Sequence, residues 1–163
     1  MNIKPENLVA IALLSIVLIF FSGGCAQKDS LIEGDQKDFT PAFLNESKMM
    51  RYFVDSHPGQ TVLKYAQADL DSDGQTDLIV IYQVQKAKNE MCVIRYKEST
   101  FIETNPLPAP VSDQMIRFKD IDGKSPLEFI LQGRKGAKQG YAIFRIEQGK
   151  LIDVFGDGME DCC

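Results

Sequence analysis

An internal repeat limits what this chain can fold into more than any other feature. Shifted by 49 positions, Asp71, Asp73, Gly74, Leu78, Ile81, Gln83 and Lys86 fall on Asp120, Asp122, Gly123, Leu127, Ile130, Gln132 and Lys135. One further inserted residue brings Arg95 and Ile102 onto Arg145 and Ile152. Both copies read strand, Asp-rich turn, strand, short polar turn, strand, turn, strand, the first over Thr61 to Thr104 and the second over Val111 to Phe155. Each has the size of a four-stranded antiparallel propeller blade. The joint between them, Pro106-Leu107-Pro108-Ala109-Pro110, is expected to stay out of any ladder because proline has no N–H to donate. Two blades cannot close a propeller, since stacked repeats need at least three. The expectation is a mainly β fold: two blade-like sheets packed on each other, plus one N-terminal helix over an exposed face or edge.

That helix is predicted to start at Thr40-Pro41, which supply an N-cap hydroxyl and a proline at N1. Ala42, Phe43, Met49, Met50, Phe53 and Val54 then mark one apolar side, and the helix ends near Ser56, before His57-Pro58-Gly59.

Upstream, residues 1–24 read as an export signal. Lys4 supplies a positive start, and Leu8 to Phe21 is an uncharged, almost wholly apolar run of 14 residues. Such a run is short for a membrane span and normal for a signal. It leads into Phe21-Ser22-Gly23-Gly24-Cys25, small residues before a cysteine that resemble the bacterial lipobox. The resemblance implies cleavage before Cys25 and lipidation of its sulfur, which holds the protein to the outer face of a bacterial membrane. The alternative is an ordinary signal or signal anchor with an incidental cysteine. Residues 25–39 are polar and aperiodic, a tether between the anchor and a domain over 40–155. Residues 156–163 form a glycine-containing tail.

Removing residues 1–24 from 163 leaves 139, enough for one domain with a core. The signal holds one cation, Lys4, and one anion, Glu6, so the net charge stays at −5. An acidic chain without a basic groove is not expected to bind nucleic acid.

Asp69-Leu70-Asp71-Ser72-Asp73-Gly74-Gln75-Thr76-Asp77 concentrates four carboxylates in one tight turn. Their mutual repulsion calls for a cation, and oxygen-only ligation suits Ca²⁺. Asp69, Asp71 and Asp73 would give side-chain oxygens, Gln75 a backbone carbonyl and Asp77 a further carboxylate. Val80 stands where an EF-hand has its glutamate, and a strand-type run, Leu78 to Tyr82, stands where it has a helix. The segment instead resembles the calcium loops between strands of FG-GAP and VCBS-type repeats, which implies one structural calcium. The alternative is a solvated acidic turn. In the second copy, Asp120-Ile121-Asp122-Gly123-Lys124-Ser125-Pro126-Leu127-Glu128, Lys124 replaces a carboxylate, and its ammonium is expected to neutralise an acid there in place of a metal.

Of the four cysteines, Cys92 lies in the apolar run Met91-Cys92-Val93-Ile94 and reads as core. Cys162 and Cys163 are adjacent. Neighbouring Cα atoms sit about 3.8 Å apart, below the ~4.4–6.8 Å of an unstrained disulfide, so the pair stays available as a dithiol. Two soft sulfurs suit a thiophilic metal. Asp157, Glu160 and Asp161 nearby raise thiol pKa and disfavour a fast disulfide-exchange catalyst, yet attract a cation. His57, the single histidine, sits in a helix-ending turn. No nucleophile–base arrangement has support, so the chain is not expected to be an enzyme.

The lipobox, the β domain with its calcium-type loop and the final Cys162-Cys163 together resemble the Cys-Cys-COOH (seleno)protein SaoC family. In that family one of the last two positions can be selenocysteine; this chain has sulfur at both. The resemblance implies membership of an organometal transport system, with mercury compounds as cargo. Mercuric reductases use a similar vicinal pair to hand over Hg(II). Cys162 and Cys163 would then bind a metal or organometal and pass it to a membrane permease, of the ABC type or another. Two readings stand against it: a calcium-stabilised cell-surface interaction module with bystander cysteines, and a membrane-bound thiol–disulfide carrier.

Overall fold

The computed structural model describes residues 37, 38 and 40–157; for 157 the backbone alone is described. The expected mainly β architecture is present: two antiparallel sheets packed face to face, with helices over the outer face of the first.

The first sheet runs in the order β1 (Lys37–Asp38), β2 (Thr61–Ala68), β3 (Asp77–Gln85), β4 (Lys88–Lys97) and β5 (Thr100–Glu103), with β6 (Leu107–Ala109) also on β4. The second runs β10 (Lys150–Asp157), β9 (Lys138–Glu147), β8 (Phe129–Lys135) and β7 (Ser112–Phe118). β2 to β5 and β7 to β10 are the two blades the repeat anticipated. Strand alternation sorts their side chains. Ala66, Ile79, Ile81, Met91 and Val93 of the first sheet meet Ile116, Phe118, Phe129, Leu131, Phe144 and Ile146 of the second in the main core. The opposite face of the first sheet, with Tyr65, Leu78, Val80, Tyr82, Cys92 and Ile94, packs against Met50 and Phe53. Phe43 stacks on Tyr65 with ring centroids 3.9 Å apart.

Four expectations need correction. The helix is two helices, α1 (Pro41–Glu46) and α2 (Lys48–Ser56), broken at Ser47, whose backbone is extended. The Ser47 hydroxyl accepts the Met50 N–H at 3.2 Å and so starts a new helix. The proline-rich joint does enter a ladder: Met91, Glu90 and Asn89 pair with Leu107, Pro108 and Ala109. Its prolines occupy alternate positions, so Leu107 and Ala109 keep the N–H groups that face β4. The tether ends in a strand, because Lys37 and Asp38 pair with Tyr65 and Lys64. At the other end β10 takes in Gly156 and Asp157, paired with Ala142 and Tyr141, where a tail was expected from 156. Where the joint crosses between sheets, Gly133 has no room for a side chain: a Cβ there would lie 2.3 Å from Pro110 Cβ.

The repeat register also shifts. Asp77 accepts the Leu70 N–H and Glu128 accepts the Ile121 N–H, each across seven residues. The structural offset through the loops is therefore 51, not 49, and it falls to 50 by Arg95 and Arg145. The two-residue difference preserves which face each side chain occupies.

Candidate metal centre

The first acidic loop joins β2 to β3 at one end of the inter-sheet core. Leu70, fully buried, pins it down, and Asp77, 1 % exposed, accepts the Leu70 N–H at 2.8 Å. Asp69 folds the turn by accepting the N–H groups of Asp73 at 3.2 Å and Gly74 at 3.0 Å. Gly74 has φ +84°, the left-handed region that the bend demands.

Of the five residues expected to hold calcium, Asp69, Asp71 and Asp77 converge, each offering an oxygen within 4.8 Å of the others. Asp73 turns away: its carboxylate accepts the Gln75 N–H at 2.8 Å, and both residues are exposed. In the second loop the residues that converge are Asp120, Asp122 and Glu128.

Arginine was missed from the sequence in both loops. Arg95 Nη1 donates to Asp71 Oδ2 at 2.9 Å, with 7 % of its side chain exposed. Its Nη2 crosses to the carbonyl of Gly149, in the turn between β9 and β10 of the second sheet, at 3.3 Å. Arg145 lies 3.3 Å from Asp122 and 3.5 Å from Glu128, and donates through Nε to Glu147 at 2.6 Å. The cation against Asp122 and Glu128 is thus Arg145, where Lys124 was expected. The signal was present in the repeat, where Arg95 and Arg145 are mates. One residue beyond the pairs Leu78↔Ile94 and Phe129↔Phe144, each arginine stands opposite Asp77 or Glu128.

These surroundings set the electrostatics. Burial pushes the Asp77 carboxyl up to about 7, with Asp71 and Asp73 adding to the rise and the Leu70 N–H and Arg95 opposing it. The donor set fits a hard cation, since all three converging groups are carboxylates. Asp71 divides its oxygens: Oδ2 takes Arg95, while Oδ1 is buried without a hydrogen-bond partner. A bound cation would give that oxygen its missing partner. In the second loop the arginine already engages two of the three acids.

Cys92 is fully buried beneath α2. Burial pushes its thiol well up, and the charge and hydrogen bond of Glu103 add to this, as does Glu90. His57 stacks on Phe53 and lies 3.4 Å from Glu103, a bridge between the end of α2 and β5. Cys25, Cys162 and Cys163 lie outside the described residues, as does the apolar run from Leu8 to Phe21. No family model, curated protein or solved structure matches the chain.

Proposed function

We propose that the chain is a membrane-anchored extracytoplasmic lipoprotein, lipidated at Cys25, whose Cys162 and Cys163 bind a thiophilic metal or organometal, mercury compounds included. It relays this cargo to a permease of the ABC type or another. The observation that supports this is the burial of Cys92. Among the described residues it is the one cysteine, and it is fully buried with its thiol held protonated. A soft cation meets no competing thiolate there. β10 carries the backbone to Asp157, five residues before Cys162 in the chain. The β domain acts as the scaffold and the vicinal thiols do the chemistry.

Titration of the protein with Hg(II) tests it. One equivalent should bind far more tightly than to a monothiol, and Cys162→Ser and Cys163→Ser should each abolish that site. Affinity no better than a monothiol's, or unchanged by both substitutions, refutes the relay.

A second reading, a calcium-stabilised cell-surface interaction module, is favoured by the buried, unpartnered Asp71 Oδ1 among three carboxylates. Here Ca²⁺ held by Asp69, Asp71 and Asp77 would neutralise the loop and staple it to the sheet. Calcium should then raise Tm, and Asp71→Asn should remove that increment. Equal Tm in calcium and in chelator counts against it.

A further inference from the structure

The second sheet ends unevenly. β10 runs antiparallel to β9, and its last pairs are Phe155↔Ile143, Gly156↔Ala142 and Asp157↔Tyr141. β9 reaches further at this end, through Gly140, Gln139 and Lys138, which pair with Gly133, Arg134 and Lys135 of β8. Among the described residues, β8 is the one strand beside that stretch. A two-residue turn, Gly136-Ala137, joins β8 to β9, with Gly136 at φ +63°. In such a hairpin Lys135 and Lys138 form the closing hydrogen-bonded pair. The backbone N–H and C=O of Gln139 therefore point the other way, to the side that β10 occupies from Tyr141 onward. The hairpin is also basic: Arg134, Lys135 and Lys138 are all exposed. Arg134 donates to Gln139 Oε1 at 3.3 Å. Lys135 and Lys138 stand directly opposite each other, a like-charged pair whose repulsion favours an anion alongside.

We propose that this strip of β9, from Lys138 to Gly140, with its basic turn, is the docking site of the chain's own residues 158–161. Docking there sets the place at which Cys162 and Cys163 are presented. The inference rests on the relay reading for the use of the thiols, but not for the docking itself. Three observations select this occupant. The segment is covalently continuous with β10, which already points along the strip, so its effective concentration there exceeds that of any separate molecule. The register is fixed by counting, since each step along β10 is one step back along β9. It sets Gly158 beside Gly140, Met159 beside Gln139 and Glu160 beside Lys138. Charge agrees with that register. Glu160 falls directly opposite Lys138, on the face that Lys135 shares, whereas a slip by one residue would turn it to the other face. Residues 158–161 carry two acids, Glu160 and Asp161, and no lysine or arginine. The two thiols then follow at the tip of the β8–β9 hairpin, where a thiophilic cation or a permease meets them at a set place on the second sheet.

Amide hydrogen exchange of the full chain in non-ionic detergent tests this. The Gln139 N–H should exchange at least about tenfold more slowly than in a chain ending at Asp157. Lys138→Glu should speed that exchange, and adding Glu160→Lys to it should restore the protection. Exchange at Gln139 that ignores the truncation overturns the docking. Should the truncated chain fail to fold, carbodiimide cross-linking of the wild type decides. Peptide mass spectrometry should find an amide between Lys138 and Glu160 within one chain, at a yield independent of protein concentration. No such amide, or one formed only between chains, overturns the proposal, the latter by giving the strip to another copy. Hg(II) titration reads the relay separately. Protection at Gln139 without a tight Hg(II) site keeps the docking and refutes the relay, and a tight site without that protection does the reverse.

Discussion

The two acidic loops follow one plan and live in different places. Each folds over an aliphatic residue whose N–H is accepted by the acid seven positions on, and each meets an arginine from the third strand of its blade. In the first repeat the stack sets this assembly inside the molecule: Leu70 is sealed, and Arg95 spans both sheets through Asp71 and Gly149. In the second repeat the same face looks outward, so Ile121 is open and 27 % of the Arg145 side chain is exposed. A motif's energetic weight thus depends on which layer comes next, because desolvation is decided by the neighbour and not by the motif.

Paired substitutions break this comparison most directly. Leu70→Ala should cost about 3 kcal/mol in denaturant unfolding, by loss of buried methyl groups and the cavity left behind. Ile121→Ala at the matching position should change stability by less than about 0.5 kcal/mol. Equal costs would mean that the loops are equally buried. Next, Arg95→Met should cost about 2 kcal/mol, because it strips the cation from the largely buried Asp71 and the contact from Gly149. Arg145→Met should cost less, and high salt should shrink its effect where it leaves that of Arg95 in place.

A pH series sharpens the contrast further. The Asp77 carboxyl is held up to about 7, whereas in the unfolded chain it titrates at its ordinary 3.8. Between these values the folded state keeps a proton that the unfolded state has lost. Its contribution is therefore full below about pH 4 and disappears as pH rises through 7. In chelator, stability should fall across this window by at most about 1.4 kcal/mol per pH unit. Asp77→Asn should flatten the fall, and a cation bound at the carboxylate should oppose it. Away from the loops, Ser47→Ala is expected to cost about 1 kcal/mol by loss of the α2 cap, with no effect on either loop. Thermal melts at fixed pH would register it.

Much of the fold was legible in the chain. Turn residues and alternating apolar strands repeat at a near-constant spacing, and strand period is a local property that sequence carries directly. Cys92 in an apolar run was readable as core for the same reason. The break at Ser47 was harder, because an apolar stripe continues across it and the cap reveals itself only through the Met50 N–H. The proline joint misled because a count of missing donors ignores which side of the strand they point to. At the candidate centre, Asp69, Asp71 and Asp77 were legible as a cluster, since they share one short loop. Asp73 was not separable from them, as its turn toward the Gln75 N–H is a choice among local acceptors. Arg95 was missed as a member because it arrives from a strand 24 residues away, and only its repeat mate Arg145 marked it.

By itself, the sequence determined the parts: two blades of alternating strands, an acidic turn in each, a helical cover and an adjacent pair of thiols. All of these depend on residues near one another along the chain, where periodicity, turn chemistry and covalent spacing act. Tertiary structure alone decided the order of stacking, and with it which copy is buried and which is open. That difference arises because the second sheet packs on one face of the first, while the corresponding face of the second sheet has no layer over it among the described residues, and carries Arg117 and Gln132 where the first has Ala66 and Ile81.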